Sequence, residues 1–232
     1  MEPSTLYIVA TPIGNLQDIT LRALDVLRGV DAVYAEDTRV SHVLLDRYEI
    51  QKPLRSYREA ADTSSVQKMI NEVVARLRAG ESLAYVSDAG TPGVSDPGNY
   101  LVEKVLEAGF SVVPIPGASA LSTIVSIAGV PVCRPLFVGF LPKKKGHQTL
   151  MGKLRETLES GAADSLIFYE SPERVVKLLH ELITWGIPLS GCVARELTKL
   201  HEEILRGSLD ELMIDLEGRA QIKGELVILI SL

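Results

Sequence analysis

Four short apolar runs, Thr5 to Ala10, Val30 to Ala35, Leu83 to Val86 and Ser111 to Ile115, each give way to polar or turn-forming residues and then to a stretch with helical spacing. Strand, turn and helix repeated in this way need a crossover between neighbouring strands. That commits the first half of the chain to βαβ units and a mostly parallel sheet. Open α/β sheets hold their ligands beyond the carboxyl ends of the strands. The loops at those ends are therefore the first places to look for function.

Each loop carries its own chemistry. Thr11-Pro12-Ile13-Gly14-Asn15 closes the first run with a turn, and Asp18 is expected to cap a helix that turns Leu21, Leu24 and Leu27 inward and stops at Gly29. Glu36-Asp37-Thr38-Arg39 closes the second. This cluster either faces a ligand or supplies the cap, Asp37 or Thr38, of a helix carrying Val43 and Leu44. After the third run comes S-D-A-G-T-P-G-V-S-D-P-G, Ser87 to Gly98. Its glycines permit positive φ and its prolines lock φ, so the backbone path is fixed and can hold a ligand against the main chain. Asp96-Pro97 doubles as the expected start of a helix with Leu101, Val102, Val105 and Leu106 inward. Pro116-Gly117-Ala118-Ser119 closes the fourth run. No G-x-G-x-x-G follows the first strand, which removes the usual dinucleotide fingerprint.

Between these runs, residues 53 to 65 are polar and without period, and are expected to form a mobile loop with a short strand at Leu54 to Tyr57. Ile70, Val73, Val74 and Leu77 mark an amphipathic helix with Glu72 and Arg76 paired on its outer face and Gly80 as its stop. A small-residue helix, Ala118 to Ala128, opens the second half. The expected domains are 1–117, with a mostly parallel sheet, and 118–232, with a mixed one. In the latter, Leu136 to Val138, Ser165 to Tyr169, Gly191 to Glu196 and Glu225 to Ile230 read as strands. Ser171-Pro172 is expected to start a helix lined by Val175, Val176, Leu179, Leu182 and Ile183, and Ser208 with Glu211 a capping box.

Composition narrows the classes. A 232-residue chain that is 46% hydrophobic supports a substantial core in one large domain or two small ones. Its net charge of −6 means that contact with nucleic acid requires a local basic patch, for which Gly139-Phe140-Leu141-Pro142-Lys143-Lys144-Lys145-Gly146 is the candidate. The two cysteines, Cys133 and Cys192, and the four scattered histidines lack ligand spacing, so a reducing compartment and no metal are expected. With no targeting segment and no apolar span of bilayer length, a cytoplasmic protein without a membrane partner is expected.

Taken together and in order, T-P-I-G-N-L (11–16), A-E-D-T-R (35–39), the Ser87 to Gly98 loop, P-G-A-S (116–119), G-F-L-P-K-K-K-G (139–146), F-Y-E-S-P-E-R (168–174) and A-R-E-L-T-K-L-H-E (194–202) closely resemble the tetrapyrrole methylase superfamily. Within it they are similar to the members that methylate the ribose 2′-hydroxyl of a cytidine in the decoding region of bacterial small-subunit ribosomal RNA. The resemblance implies two α/β domains with a cleft between them for S-adenosylmethionine, usually in a homodimer, with small ribosomal subunit RNA as partner. The donor contacts it implies are Pro12 and Gly14; Asp88, Ala89, Gly90, Thr91 and Pro92; Pro116, Gly117, Ala118 and Ser119; Phe140 and Leu141; Arg195, Glu196 and Leu197; and Lys223, Gly224 and Glu225.

A methyl transfer of this kind also needs a base for the hydroxyl proton. Lys199, Glu196 and the Glu36-Asp37-Arg39 cluster are the candidates, because a desolvated carboxylate or lysine is tuned toward neutral pH. For Arg195 and Glu196 the alternative is an ion pair between domains. Arg39, Lys143, Lys144, Lys145 and Lys199 are the candidate RNA contacts, and favour a phosphate-bearing acceptor. Carbon methylation of a tetrapyrrole precursor and a non-enzymatic ribosome assembly factor are the competing readings.

Overall fold

Strand β1 (Thr5–Val9) lies inside a five-stranded sheet whose order is β3-β2-β4-β1-β5, with β2 (Ala32–Ala35), β3 (Leu54–Ser56), β4 (Leu83–Val86) and β5 (Ser111–Ile115) all paired in parallel. The computed structural model describes residues 1–58 and 63–232, and the chain divides into two units, Met1–Ser119 and Ala120–Leu232. In the first unit the period of two along each strand feeds two cores. Tyr7, Val9, Val33, Ala35, Ala84 and Val86 face helices α1 (Leu21–Gly29) and α2 (Thr38–Arg47). Leu6, Ala32, Tyr34, Leu83 and Tyr85 face α3 (Thr63–Arg78) and α4 (Asn99–Glu107). A sheet covered on both faces accounts for its near-continuous apolar strands. Pro114, which has no N–H for a ladder, sits on edge strand β5.

Several local expectations are corrected. Thr20, not Asp18, caps α1, its side chain accepting from Ala23 N at 3.1 Å, while Asp18 ends a short 3₁₀ turn. Leu21 then becomes the first helical residue and is exposed, and the buried face is Ala23, Leu24, Val26 and Leu27. On α2, Val43 is exposed and Leu44 with Leu45 fills the core. Helix α4 starts behind Gly98, not at Asp96-Pro97, and leaves Leu106 exposed. A Cβ on Gly98 would lie 2.7 Å from the Tyr85 ring, whose hydroxyl donates to the Pro97 carbonyl, so the chain needs its tight turn there.

Glu72 and Arg76 do not pair with each other. Glu72 accepts from the Tyr34 hydroxyl and meets Arg55, and Arg76 binds Glu81 at 2.6 Å. Tertiary partners within reach displace the i,i+4 pair. Of the expected mobile loop, Leu54–Ser56 is strand and Tyr57 is buried edge-on against Tyr85. Residues 59–62 lie outside the described ones.

The second unit holds α5 (Ala120–Ile127), β6 (Pro135–Phe140), α6 (His147–Glu159), β7 (Ser165–Glu170), α7 (Val175–Ile183), β8 (Ser190–Arg195), β9 (Glu203–Ser208), α8 (Leu209–Glu217) and β10 (Leu226–Ser231). Its sheet runs β6-β7-β10-β8-β9, with β6 and β7 parallel and every other pairing antiparallel. Helices α6, α7 and α8 pack Met151, Leu154, Leu158, Leu178, Leu182, Leu212 and Leu216 over Leu166, Phe168, Ile228 and Ile230. The Ser208–Glu211 capping box is present in full. Ser171-Pro172 does not start α7 directly. A turn intervenes, Arg174 takes the cap position, and the Ser171 carbonyl accepts from Val175 N.

Candidate functional site

The carboxyl ends of β4, β1 and β5 are stitched to one another by their own loops. Thr11 and Gly90 exchange both backbone bonds at 2.8 and 3.1 Å, an antiparallel bridge between the first and third loops. The Thr11 hydroxyl donates to the Ser87 carbonyl, and the Ser87 hydroxyl donates to that of Gly90. The Thr91 hydroxyl donates to the Ala118 carbonyl, which brings in the fourth loop. Gly90 is obliged to be glycine twice over: its φ is +80°, and a Cβ would lie 3.3 Å from Ile13. Gly117 has ordinary φ, but its Cβ would stand 3.0 Å from that of Ala10. Pro12, Gly90 and Thr11 are buried, whereas Gly14, Ala89, Pro116 and Gly117 leave their surface open. Asp88, Thr91, Pro92, Ala118 and Ser119 are half-buried.

The second loop joins this group through one bond, Asp37 N donating to Asp88 Oδ1 at 2.9 Å. Asp37 is the cap of α2, and Arg39 clasps the same carboxylate, holding it well below the usual carboxylate range. Arg39 is thereby engaged with Asp37. Glu36 moves the other way. Burial, and then the charge of Asp88, push its carboxyl upward. The rim thus offers open main chain and two neighbouring carboxylates, a combination suited to a ligand with a cationic amine and hydroxyls.

In the second unit, the register that pairs Leu226 with Arg195 places the ends of β8 and β10 side by side. Glu196 follows at a left-handed φ of 51°, its N–H donating to the Glu225 carbonyl. Glu225 N returns a bond to Glu196 Oε1 at 2.9 Å. Lys199 Nζ donates to both carboxylates, at 2.9 Å to Glu196 and 2.8 Å to Glu225. Gly224 has no room for a side chain, since a Cβ would fall 2.4 Å from Glu196 Cγ. Arg195 donates to Glu203 and to the Lys223 carbonyl, and Leu197 is buried. Arg195 and Glu196 therefore both find partners inside their own unit.

The pKa shifts at this end oppose a base. The Glu225 N–H, and then Lys199, hold Glu196 low, while the carboxylate bonds from Glu225 and Glu196 outweigh burial and raise Lys199. A lowered carboxylate is a weaker base, and a raised lysine keeps its proton. The tuning expected for these two is corrected on that ground. Glu36 is the candidate whose shift runs toward neutral pH.

Phe140 is exposed at the end of β6 with its ring edge-on to Tyr169, and Leu141 is buried. The side chains of Lys143, Lys144 and Lys145 are exposed and have no ion-pair partner among the described residues. Two tertiary features escaped the sequence reading. The Glu203–Arg219 pair joins β9 to the residues just after α8, and buried Glu170 pairs with half-buried Arg174 inside F-Y-E-S-P-E-R. The second had a signal, a glutamate and an arginine four apart within a quoted motif.

Among the described residues, no group of His, Cys, Asp or Glu is placed to hold a metal, and no helix is long and apolar enough to cross a membrane.

The sequence pattern of the tetrapyrrole (corrin/porphyrin) methylases matches residues 5–213. The chain belongs to this family. Among its methylase relatives, the ribosomal RNA small subunit methyltransferase I of Thermotoga maritima is 41% identical over 226 residues, 97% of each chain. The protein of the same name from Mesorhizobium japonicum is 45% identical over 232 residues, all of this chain and 76% of its own. In fold, the chain is similar to the uroporphyrin-III C-methyl transferase of Thermus thermophilus, solved in complex with S-adenosyl homocysteine, with a TM-score of 0.65, 18% identity and coverage of 98% and 97% of the two chains. Two α/β domains of the tetrapyrrole methylase type are the fold of this methylase.

Proposed function

We propose that this chain is an S-adenosylmethionine-dependent methyltransferase of small-subunit ribosomal RNA, acting on the ribose 2′-hydroxyl of a cytidine in the decoding region, as a homodimer in the cytoplasm. The observation that carries the reading is identity of 41% across 97% of both chains with a relative of that name. The solved tetrapyrrole-precursor methylases share the fold at under 20% identity, which does not reach to the acceptor.

The donor contacts proposed here are, in the first unit, the rim formed by 11–16, 87–92 and 116–119 and, in the second unit, Phe140, Leu141, Arg195 to Leu197 and Lys223 to Glu225. Support for the rim comes from the main chain left open at Ala89 and Gly117 beside the Asp88 carboxylate. When bound, the donor supplies an activated methyl carbon. What remains for the protein is to align the acceptor hydroxyl, worth roughly 7 to 11 kcal/mol of the barrier, and to take its proton. Glu36 is assigned the proton, because burial and Asp88 raise it toward the working pH. Lys199 and Glu196 are assigned to holding the 195–199 loop, with Lys199 also presenting charge to the RNA. Lys143, Lys144, Lys145 and Arg39 complete the proposed RNA contacts.

Transfer of a labelled methyl group from S-adenosylmethionine to small ribosomal subunits, to free RNA and to a tetrapyrrole precursor tests this directly. Label in a cytidine ribose of the subunit RNA is the expected result. Label in the precursor alone overturns it, and no label together with no donor-induced rise in Tm removes the enzyme reading altogether.

A further inference from the structure

Beside the open end of β6, the second unit contains a pocket of about 230 Å³ that no part of the donor site uses beyond Leu141. Its walls come from the loop after β6, the first turn of α6, the end of β7 and the side of α7 from Arg174 to Glu181, segments separated by as many as forty positions in sequence. Lys143, Lys144, Arg174 and Lys177 line it together with two acids, Glu170 and Glu181.

Both acids are already committed. Glu170, whose side chain is 2% exposed, accepts from Arg174 and from Ser171 N, each at 2.6 Å. Glu181 accepts from Gln148 at 2.8 Å and lies 2.7 Å from His147 Nε2. Arg174 is fixed further by donating to the Leu141 carbonyl at 3.1 Å, so the pair anchors the lysine-bearing loop to the start of α7. What is left over is cationic. Lys143, Lys144 and Lys177 have no carboxylate partner among the described residues, and Lys177 stands one helical turn beyond Arg174 on the same side of α7. Lys145, adjacent in sequence, does not line the pocket.

We propose that this pocket holds a phosphodiester group of the RNA acceptor, gripped by Lys143, Lys144 and Lys177 against a floor made rigid by Glu170 and Arg174. The inference rests on the proposed function and deepens it by dividing the lysine run into residues that line a site and one that does not. The volume falls below the roughly 300 to 1,000 Å³ typical of pockets that enclose a whole small-molecule ligand, and suits one phosphate with its sugar. An anion there meets three cations at once, and lysine serves phosphate as a point charge. Each phosphate neutralised on a single strand contributes about 0.7 to the slope of log affinity against log salt.

The test is anisotropy titration of a labelled single-stranded RNA oligonucleotide across a salt series, for the parent and for Lys177→Ala, Lys144→Ala, Lys145→Ala and Lys153→Ala. Lys177 is exposed, so its replacement leaves the core intact, and calorimetric binding of S-adenosylmethionine reports on the fold independently. Lys177→Ala and Lys144→Ala are expected each to flatten the slope by up to about 0.7 and weaken RNA binding several-fold. Lys153→Ala, on the body of α6, is the control expected to leave it unchanged, and Lys145→Ala, an RNA contact outside the pocket, is expected to flatten it less. An unchanged slope in Lys177→Ala, or equal flattening in all four variants, overturns the pocket. The methyl-transfer assay on the parent is read separately: an inactive parent whose slope still depends on Lys177 discards the methylation reading and keeps the phosphate site.

Discussion

Lys199 Nζ lies 2.9 Å from Glu196 Oε1, and that bond closes a loop whose backbone at Glu196 is left-handed. Left-handed φ at a non-glycine residue costs on the order of 1–2 kcal/mol, so something must hold it. The holding is reciprocal: Glu196 takes the Glu225 N–H, Glu225 takes Lys199, and the absence of a side chain at Gly224 makes the space. The geometry is that of a clamp across the ends of β8 and β10.

For the clamp, Lys199→Met and Glu196→Gln are each expected to lower stability by on the order of 1 kcal/mol, since the bonds are charge-assisted but partly exposed. Donor affinity should fall with stability, while the single-turnover rate on bound RNA stays within a few-fold of the parent's. Denaturant titration and single-turnover kinetics check this. A rate loss of a hundredfold or more with normal donor affinity would return Lys199 to the chemistry.

Gly90 and Gly117 are expected to respond differently to alanine. At Gly90 the added methyl meets both an unfavourable φ and Ile13, and a loss on the order of 1–2 kcal/mol is expected. At Gly117 the φ is ordinary and only the 3.0 Å approach to Ala10 resists, so Gly117→Ala should cost less, and Gly117→Ala combined with Ala10→Gly should recover most of it. Thermal unfolding of the four proteins reads this out. Equal losses for both single variants would show that backbone conformation is not what sets Gly90 apart.

The Glu203 network predicts acid sensitivity. Arg219 binds both carboxylate oxygens, at 2.6 and 2.8 Å, and with Arg195 holds Glu203 down to about 2. A carboxylate whose folded pKa is depressed contributes stability that is complete above its unfolded value, about 4.3 for glutamate, and is lost as pH falls toward about 2. Glu203→Gln is expected to cost on the order of 2 kcal/mol at neutral pH and to flatten the stability profile across that window. An acid profile parallel to the parent's would remove Glu203 as the cause.

The architecture was legible because strand pattern and turn chemistry agreed: the four parallel runs, the glycine loops at their ends and the Ser208–Glu211 box all stand where the residues put them. The errors share a cause. Residue type alone points to Asp18, Asp96 and Ser171 as caps, whereas Thr20, Gly98 and Arg174 take the cap positions, where the backbone path, which residue type does not encode, enters each helix. Helix α6 hid because its buried stripe, Met151, Leu154 and Leu158, follows directly on a lysine-rich loop, and β9 because Glu203 and Arg206 interrupt its apolar run. The stitching of Thr11 to Gly90 and of Asp37 to Asp88 joins residues more than fifty positions apart, which no local pattern encodes.

The last prediction separates stability from activity at Glu36. Its pKa is raised, so the folded protein binds the proton more tightly than the unfolded chain does. Stability therefore falls as pH rises from the ordinary glutamate value through the raised one, because burial and Asp88 penalise the ionised carboxylate. Glu36→Gln removes that cost and should leave the protein as stable or more so. If Glu36 takes the proton of the acceptor hydroxyl, the same variant should lose on the order of 10² to 10⁴ in single-turnover rate with donor and RNA affinities near the parent's. The parent's rate should climb with pH as Glu36 ionises, and that limb should vanish in the variant. A destabilised Glu36→Gln would assign the carboxylate to the fold, and a surviving limb would assign the proton to another group. Raised stability together with lost rate would mark Glu36 as a carboxylate held for chemistry at a cost to the fold.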